Sequence, residues 1–179
     1  MKRFVLTGAP GSGKTSIIRQ LELDGFSVVE EAATDVIALR QAQGIAEPWT
    51  HASFVDTVAD LQKARQLRAS FEQAAIQFHD RSAICTAALA IYLGYPVSDS
   101  LSRELERIES ESIFQKRVFF MRNLGFITQT EARRIGFEET LHFERIHEET
   151  YGNFGFEIIF VEPGTLSDRV AAIKAILAL

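Results

Sequence analysis

The sequence predicts an α/β domain: a doubly wound, mostly parallel five-stranded sheet with helices on both faces. Three observations carry that expectation. Strand-like apolar runs alternate with helix-length amphipathic stretches along the whole chain. A glycine-rich turn joins the first run to the first helix. The 179 residues, 46% of them hydrophobic, suffice for one buried core, so 1–179 reads as a single domain.

The elements follow in order. RFVLT reads as a buried strand and TSIIRQLEL as a helix. After the turn Asp24-Gly25, FSVVE reads as a second strand and EAATDVIALRQAQ as a helix ended by Gly44. GIAEPWTHAS reads as a loop, and a long helix with Phe54, Val58, Leu61, Leu67 and Phe71 near one face leads to the strand AAIQF. Next come an apolar helix, AICTAALAIYLGY, and a charged one, SDSLSRELERIESES. The strand RVFFM and an irregular charged stretch precede the helix FEETLHFERIHEETY, with Asn153 and Gly155 stopping it. FEIIFVE is the last strand, Pro163-Gly164 a turn, and SDRVAAIKAILAL a closing helix with Val170, Ile173 and Leu177 on one side.

The 24 acidic residues exceed the 19 basic ones, for a formal charge of −5, so no nucleic-acid partner is expected; a phosphorylated small molecule needs only a local basic pocket. The lone Cys85 cannot form an internal bridge. No run has the length of a signal core or a membrane span, so a cytoplasmic protein with no membrane contact is expected, its oligomeric state open.

The sharpest signal is Gly8-Ala9-Pro10-Gly11-Ser12-Gly13-Lys14-Thr15, followed by Ser16, which matches G-x-x-x-x-G-K-[ST] between a strand and a helix. Its glycines let successive N–H groups turn inward as an anion nest, and the helix adds its positive N-terminal end. Lys14 then bridges the outer phosphates and Thr15 offers a hydroxyl to Mg²⁺. The glycine order is not that of the dinucleotide fingerprint. A nucleoside triphosphate is the expected ligand: ATP, with GTP left open.

Asp80 ends the third strand, where a parallel sheet of this type places a metal-holding carboxylate beside the cradle. A motor ATPase follows that aspartate with a water-polarising glutamate. Here Arg81 and Ser82 follow instead. A forked guanidinium suits a second anion such as the acceptor substrate or its phosphate. The alternative is that Asp80 caps the helix starting near Ser82 and Arg81 forms a structural salt bridge.

GAPGSGKTS, VVEEAATDVI, FHDRSAICTAALAIYLG, EARRIGFEETLHFERIHEETYGNFGFEIIFVEPG and the DRVAAI tail resemble, in order and over nearly the whole chain, the small P-loop family of AAA-type NTPase domains. That family includes the nicotinamide riboside kinase domain of bacterial NAD-repressor proteins, and the wider likeness is to P-loop small-molecule kinases. The resemblance implies that Glu30 or Glu31, at the end of the second strand, faces the acceptor and takes a hydroxyl proton, with Glu31 also touching the substrate. It implies a lid over roughly 121–150 in which Arg133 and Arg134 close on the transferring phosphate, Arg122 being a weaker candidate. It also implies that the turn from Glu162 to Thr165, with Gly164, backs the adenine ring. Successive strand residues face opposite sides, so one of the two glutamates is expected inside.

His142 and His147 lack helical zinc spacing and read as surface or lid residues, while His51 and His79 carry no assignment. Cys85 reads as a small core hydrophobe, and Trp49 as either a loop anchor or an acceptor-pocket wall. Two functions remain: a Mg²⁺-dependent kinase acting on a small, nucleoside-like acceptor, and a nucleotide-gated switch that binds a protein partner. A guanine-specific switch lacks its base-reading Asn-Lys-x-Asp here, and a mechanical ATPase lacks its Asp-Glu pair.

Overall fold

The computed structural model describes residues 1–124 and 137–177. Five strands form one parallel sheet: β1 (Lys2–Thr7), β2 (Ser27–Val29), β3 (Ile76–Asp80), β4 (Arg117–Met121) and β5 (Glu157–Val161), in the order β2-β3-β1-β4-β5. The helices are α1 (Lys14–Leu23), α2 (Ala33–Ala42), α3 (Ser53–Ala69), α4 (Ala83–Tyr92), α5 (Asp99–Ser110), α6 (Phe137–Asn153) and α7 (Leu166–Ile176), with one 3-10 turn at Pro48–Thr50. The expected architecture is the observed one.

Alternation along each strand divides two cores. Phe4, Leu6, Phe78, Phe119 and Met121 face Ile17, Leu21, Val170 and Ile173 of α1 and α7. Val5 and Val118 point the other way, toward α4, α5 and Tyr151 of α6. Burial of each large apolar side chain contributes about 1.5–3 kcal/mol, which is why the strands read as nearly continuous hydrophobic runs. The helices leaving β1 and β3 therefore lie on opposite faces. Their strands are neighbours, with Leu6 paired to Asp80, so a crevice opens at the shared C-terminal edge.

Local chemistry sets the helix starts. Ser82 Oγ accepts from the Ile84 amide at 3.2 Å, Ser98 Oγ from Leu101 and Thr165 Oγ1 from Asp168. Ser82 thus caps α4, and the alternative role for Asp80 is set aside. Two expectations are corrected. Leu67 is exposed, and Phe71, 89% exposed, lies beyond the end of α3, because the last turns of that helix bury Gln66 and Ala69 instead. His147 is fully buried, on the face of α6 that packs against α4. His79 is also buried, with its pKa driven down to about 3 by burial and then by Arg3, so it stays neutral. Of the stretch 121–150 read as a lid, 137–150 belong to α6, and Arg133 and Arg134 lie outside the described residues.

No helix among the described residues is long and apolar enough to cross a membrane.

Candidate active site

The turn between β1 and α1 is a hollow made by main chain. Gly8, Gly11 and Gly13 all adopt positive φ, and a Cβ on Gly8 would lie 2.4 Å from the carbonyl oxygen of Met121. Gly8 thus serves both conformation and close strand approach. No side chain caps α1, whose N-cap is Gly13 at φ 81°. Its first amides point at the hollow, as an anion requires.

Lys14 folds back over this turn. Its Nζ donates to Gly8 O and Ala9 O at 2.9 Å each and to Ser12 Oγ at 3.3 Å. Burial, and then the nearby Arg81 guanidinium, lower its pKa to about 7; Asp80, Cys85 and Glu31 act in the opposite direction. Those charges locate Asp80 and Glu31 on the Lys14 side of the cleft.

Arg81 is left-handed at φ 72°, an uncommon conformation for a residue with a Cβ. Its amide donates to Leu6 O at 3.0 Å, extending the β1–β3 pairing by one residue, and its Nη2 donates to Gly8 O at 3.0 Å. The same carbonyl therefore accepts from both Lys14 and Arg81. The guanidinium lies 5.7 Å from the Phe143 ring centroid and 3.5 Å from His147 Nε2. His147 Nδ1 is 2.9 Å from Phe143 O, which can only accept, so Nδ1 carries the proton and Nε2 presents its lone pair toward Arg81. Burial first, and Arg81 next, hold this imidazole neutral.

A second tie joins α6 to the start of α4. The Tyr151 hydroxyl is 2.9 Å from Ser82 Oγ and 3.1 Å from Cys85 Sγ, and that sulfur is 3.3 Å from Thr7 Oγ1. Cys85 is accordingly a hydrogen-bonded core residue at the cleft wall.

A cleft of about 800 Å³ runs outward from this turn. Pro10, Lys14, Thr15, Asp80 and Arg81 line its polar end, and Trp49, Phe54, Val58, Leu89, Tyr92 and Phe143 line an apolar far end. Ser16 is exposed and is not among the lining residues, and Gly164 sits in the turn after β5, also away from that lining. Both glutamates line the cleft, with different ties. Glu30 pairs with Arg19 at 2.7 Å and is half exposed. Glu31 receives the Ala33 and Thr34 amides at 2.9 and 2.8 Å, capping α2, while its carbonyl accepts from Arg65.

The donor set fits Mg²⁺. Thr15 and Asp80 supply a hydroxyl and a carboxylate to one cleft, and Mg²⁺ takes one or two protein oxygens before phosphate and water complete its shell.

Sequence reading missed Arg169, His147 and Tyr151. Arg169 had a legible sign, since it stands in register with Ile173, one turn away on the buried face of α7. The other two follow from how α6 meets α4, which no local pattern encodes.

Sheet order, glycine cradle and a third-strand aspartate define a P-loop protein with the nucleotide-kinase fold. The family model described as an AAA domain matches residues 3–169, and the chain belongs to that family. No curated protein matches it. Among solved structures it is similar to NadR protein in complex with NAD and AMP-PNP, with TM-score 0.71 and 18% identity over 99% of this chain and 50% of that one. A NadR complex with NR gives the same TM-score and identity over 51% of that chain. Deoxyadenosine kinase from M. mycoides with dCMP and dCDP gives TM-score 0.63 and 12% identity, covering 98% of both chains. At such identities these likenesses show the fold alone. The chain spans about half the length of the NadR chains.

Proposed function

We propose that this chain is a Mg²⁺-dependent kinase that transfers the terminal phosphoryl group of ATP to a hydroxyl of a small, nucleoside-like acceptor. The observation that carries this reading is the two-ended cleft, with a phosphate cradle at one end and an aromatic chamber at the other. A hydrolase needs only the first. A water-polarising glutamate beside Asp80 is replaced by Arg81, whose side chain turns back toward the cradle. The solved relatives support the same division, since their complexes hold AMP-PNP in one case and NR or deoxynucleotides in others.

In this reading the cradle amides and Lys14 hold the donor phosphates, which draw Nζ away from the Gly8 and Ala9 carbonyls. Thr15 and Asp80 hold Mg²⁺, which neutralises charge on the phosphate oxygens. Glu31 accepts the acceptor's proton, and its tie to the α2 amides fixes the direction of its carboxylate. Glu30, paired to Arg19, borders the mouth. Arg81 places positive charge beside the transferring group, and Arg133 and Arg134 add theirs when the acceptor is bound. The donor-side turn with Gly164 backs the base.

The test is transfer from labelled ATP with Mg²⁺ to a panel of nucleosides, deoxynucleosides and nicotinamide riboside. Acceptor-dependent product is expected, reduced roughly 10²–10³-fold by Lys14→Ala, as for loss of a preorganised phosphate donor. Tight Mg-ATP binding with no transfer to any acceptor would leave the switch reading in its place.

A further inference from the structure

Arg169 lies on α7, near the far end of the chain from the cradle it touches. It is a cation only 4% exposed, and its Nη1 donates to Ser12 O at 2.7 Å. Nη2 lies 3.5 Å from Arg122 O, in the segment after β4, and Nε has no acceptor among the described residues. Two main-chain carbonyls are a poor exchange for the hydration of a guanidinium, so packing alone does not explain an arginine here. An apolar chain of equal length would fill the space.

We propose that Arg169 is a positioning residue for the phosphate cradle: it orients the Ser12–Gly13 peptide and places a buried positive charge beneath the outer turn. This rests on reading the cradle as a triphosphate site. In a trans peptide the carbonyl and the following N–H point in opposite directions. Drawing Ser12 O toward α7 therefore turns the Gly13 N–H away from α7 and toward the hollow, where a phosphate oxygen needs it. Burial lowers the pKa of Arg169 but leaves a guanidinium charged at neutral pH, and no carboxylate pairs with it among the described residues. Its field therefore reaches the phosphate site without local cancellation. The contact also gives Gly13 a second reason to lack a side chain, since a Cβ there would stand 2.8 Å from Nη1. The third glycine of the motif and an arginine some 150 residues later are thus one fitted pair.

The test compares wild type, Arg169→Lys and Arg169→Met by calorimetric titration with Mg-ATP, ADP and AMP, alongside their thermal unfolding. Arg169→Met is expected to weaken ATP tenfold to a hundredfold and ADP by less, with AMP changed least. Arg169→Lys, which keeps the charge and loses the fork, recovers part of the ATP deficit. Equal losses for all three nucleotides would mark a merely structural role and overturn the proposal, as would unchanged binding. If Arg169→Met does not fold, Arg169→Lys decides alone: a loss graded by phosphate number supports the proposal and a uniform or absent loss ends it. Wild type that binds no ATP overturns the cradle reading itself, and this proposal with it; wild type that binds while the variants match it overturns this proposal only.

Discussion

The two ends of the cleft are built on different principles. The phosphate end comes from one contiguous turn, Gly8 to Thr15, and its working groups are main-chain amides fixed by glycine geometry and by carbonyls pinned by Lys14, Arg81 and Arg169. The proposed acceptor end comes from side chains on α2, the 3-10 turn, α3, α4 and α6. Backbone at one end and side chains at the other imply different tolerances. A side chain added at Gly8 strikes main chain, whereas one removed from the chamber leaves a larger chamber. The largest expected effect is therefore at Gly8. Gly8→Ala places a Cβ 2.4 Å from Met121 O at φ 130°, so unfolding free energy falls by roughly 2–5 kcal/mol, from strain and overpacking together, and ATP binding falls with it. Denaturant unfolding measures the first and titration the second. An alanine variant as stable as wild type would show that the cradle yields and would break the contrast.

The same contrast explains what the sequence disclosed. Gly8, Gly13, Lys14 and Thr15 were legible because the cradle's chemistry is local: residue types at fixed spacing force one backbone path. Asp80 was legible because a strand end has a fixed place in a parallel sheet. The chamber was not. Trp49 could be read as an anchor or as an acceptor-pocket wall; it packs on the cluster of Ala32, Val36, Phe54 and Val58 and lines the cleft. Arg81 could be read either as a grip for a second anion or as a structural residue; its side chain contacts Gly8 O and His147, and the second contact depends on the packing of α6 on α4. Sequence spacing carries no record of which distant helix lies opposite a side chain.

A middle-sized effect tests the chamber. Trp49→Ala is expected to raise the acceptor KM about tenfold, some ~1.4 kcal/mol, while ATP affinity stays within a factor of two. Steady-state kinetics with each substrate varied in turn separates the two. An equal loss for ATP would mean that the ends are mechanically coupled rather than independently built.

The smallest effect is a proton. In the unfolded chain Lys14 keeps its charge to about 10.5, but in the fold only to about 7, because burial and Arg81 disfavour the ammonium. Between those values folding releases a proton, so this group makes stability rise with pH; that contribution is complete above 10.5 and lost as pH falls through 7. A bound phosphate tail reverses the preference, since it favours the charged amine. Binding of ATP above pH 7 must then draw a proton from solution, and affinity falls with rising pH by less than tenfold from 7 to 8. Calorimetry in buffers of different ionisation heat reads that proton directly, with uptake expected to be small at pH 6, larger at pH 8 and absent in Lys14→Met. The chamber, whose lining side chains do not exchange a proton with the donor, predicts no such uptake when the acceptor binds alone. A proton taken up with the acceptor would place Lys14 under the control of both ends at once.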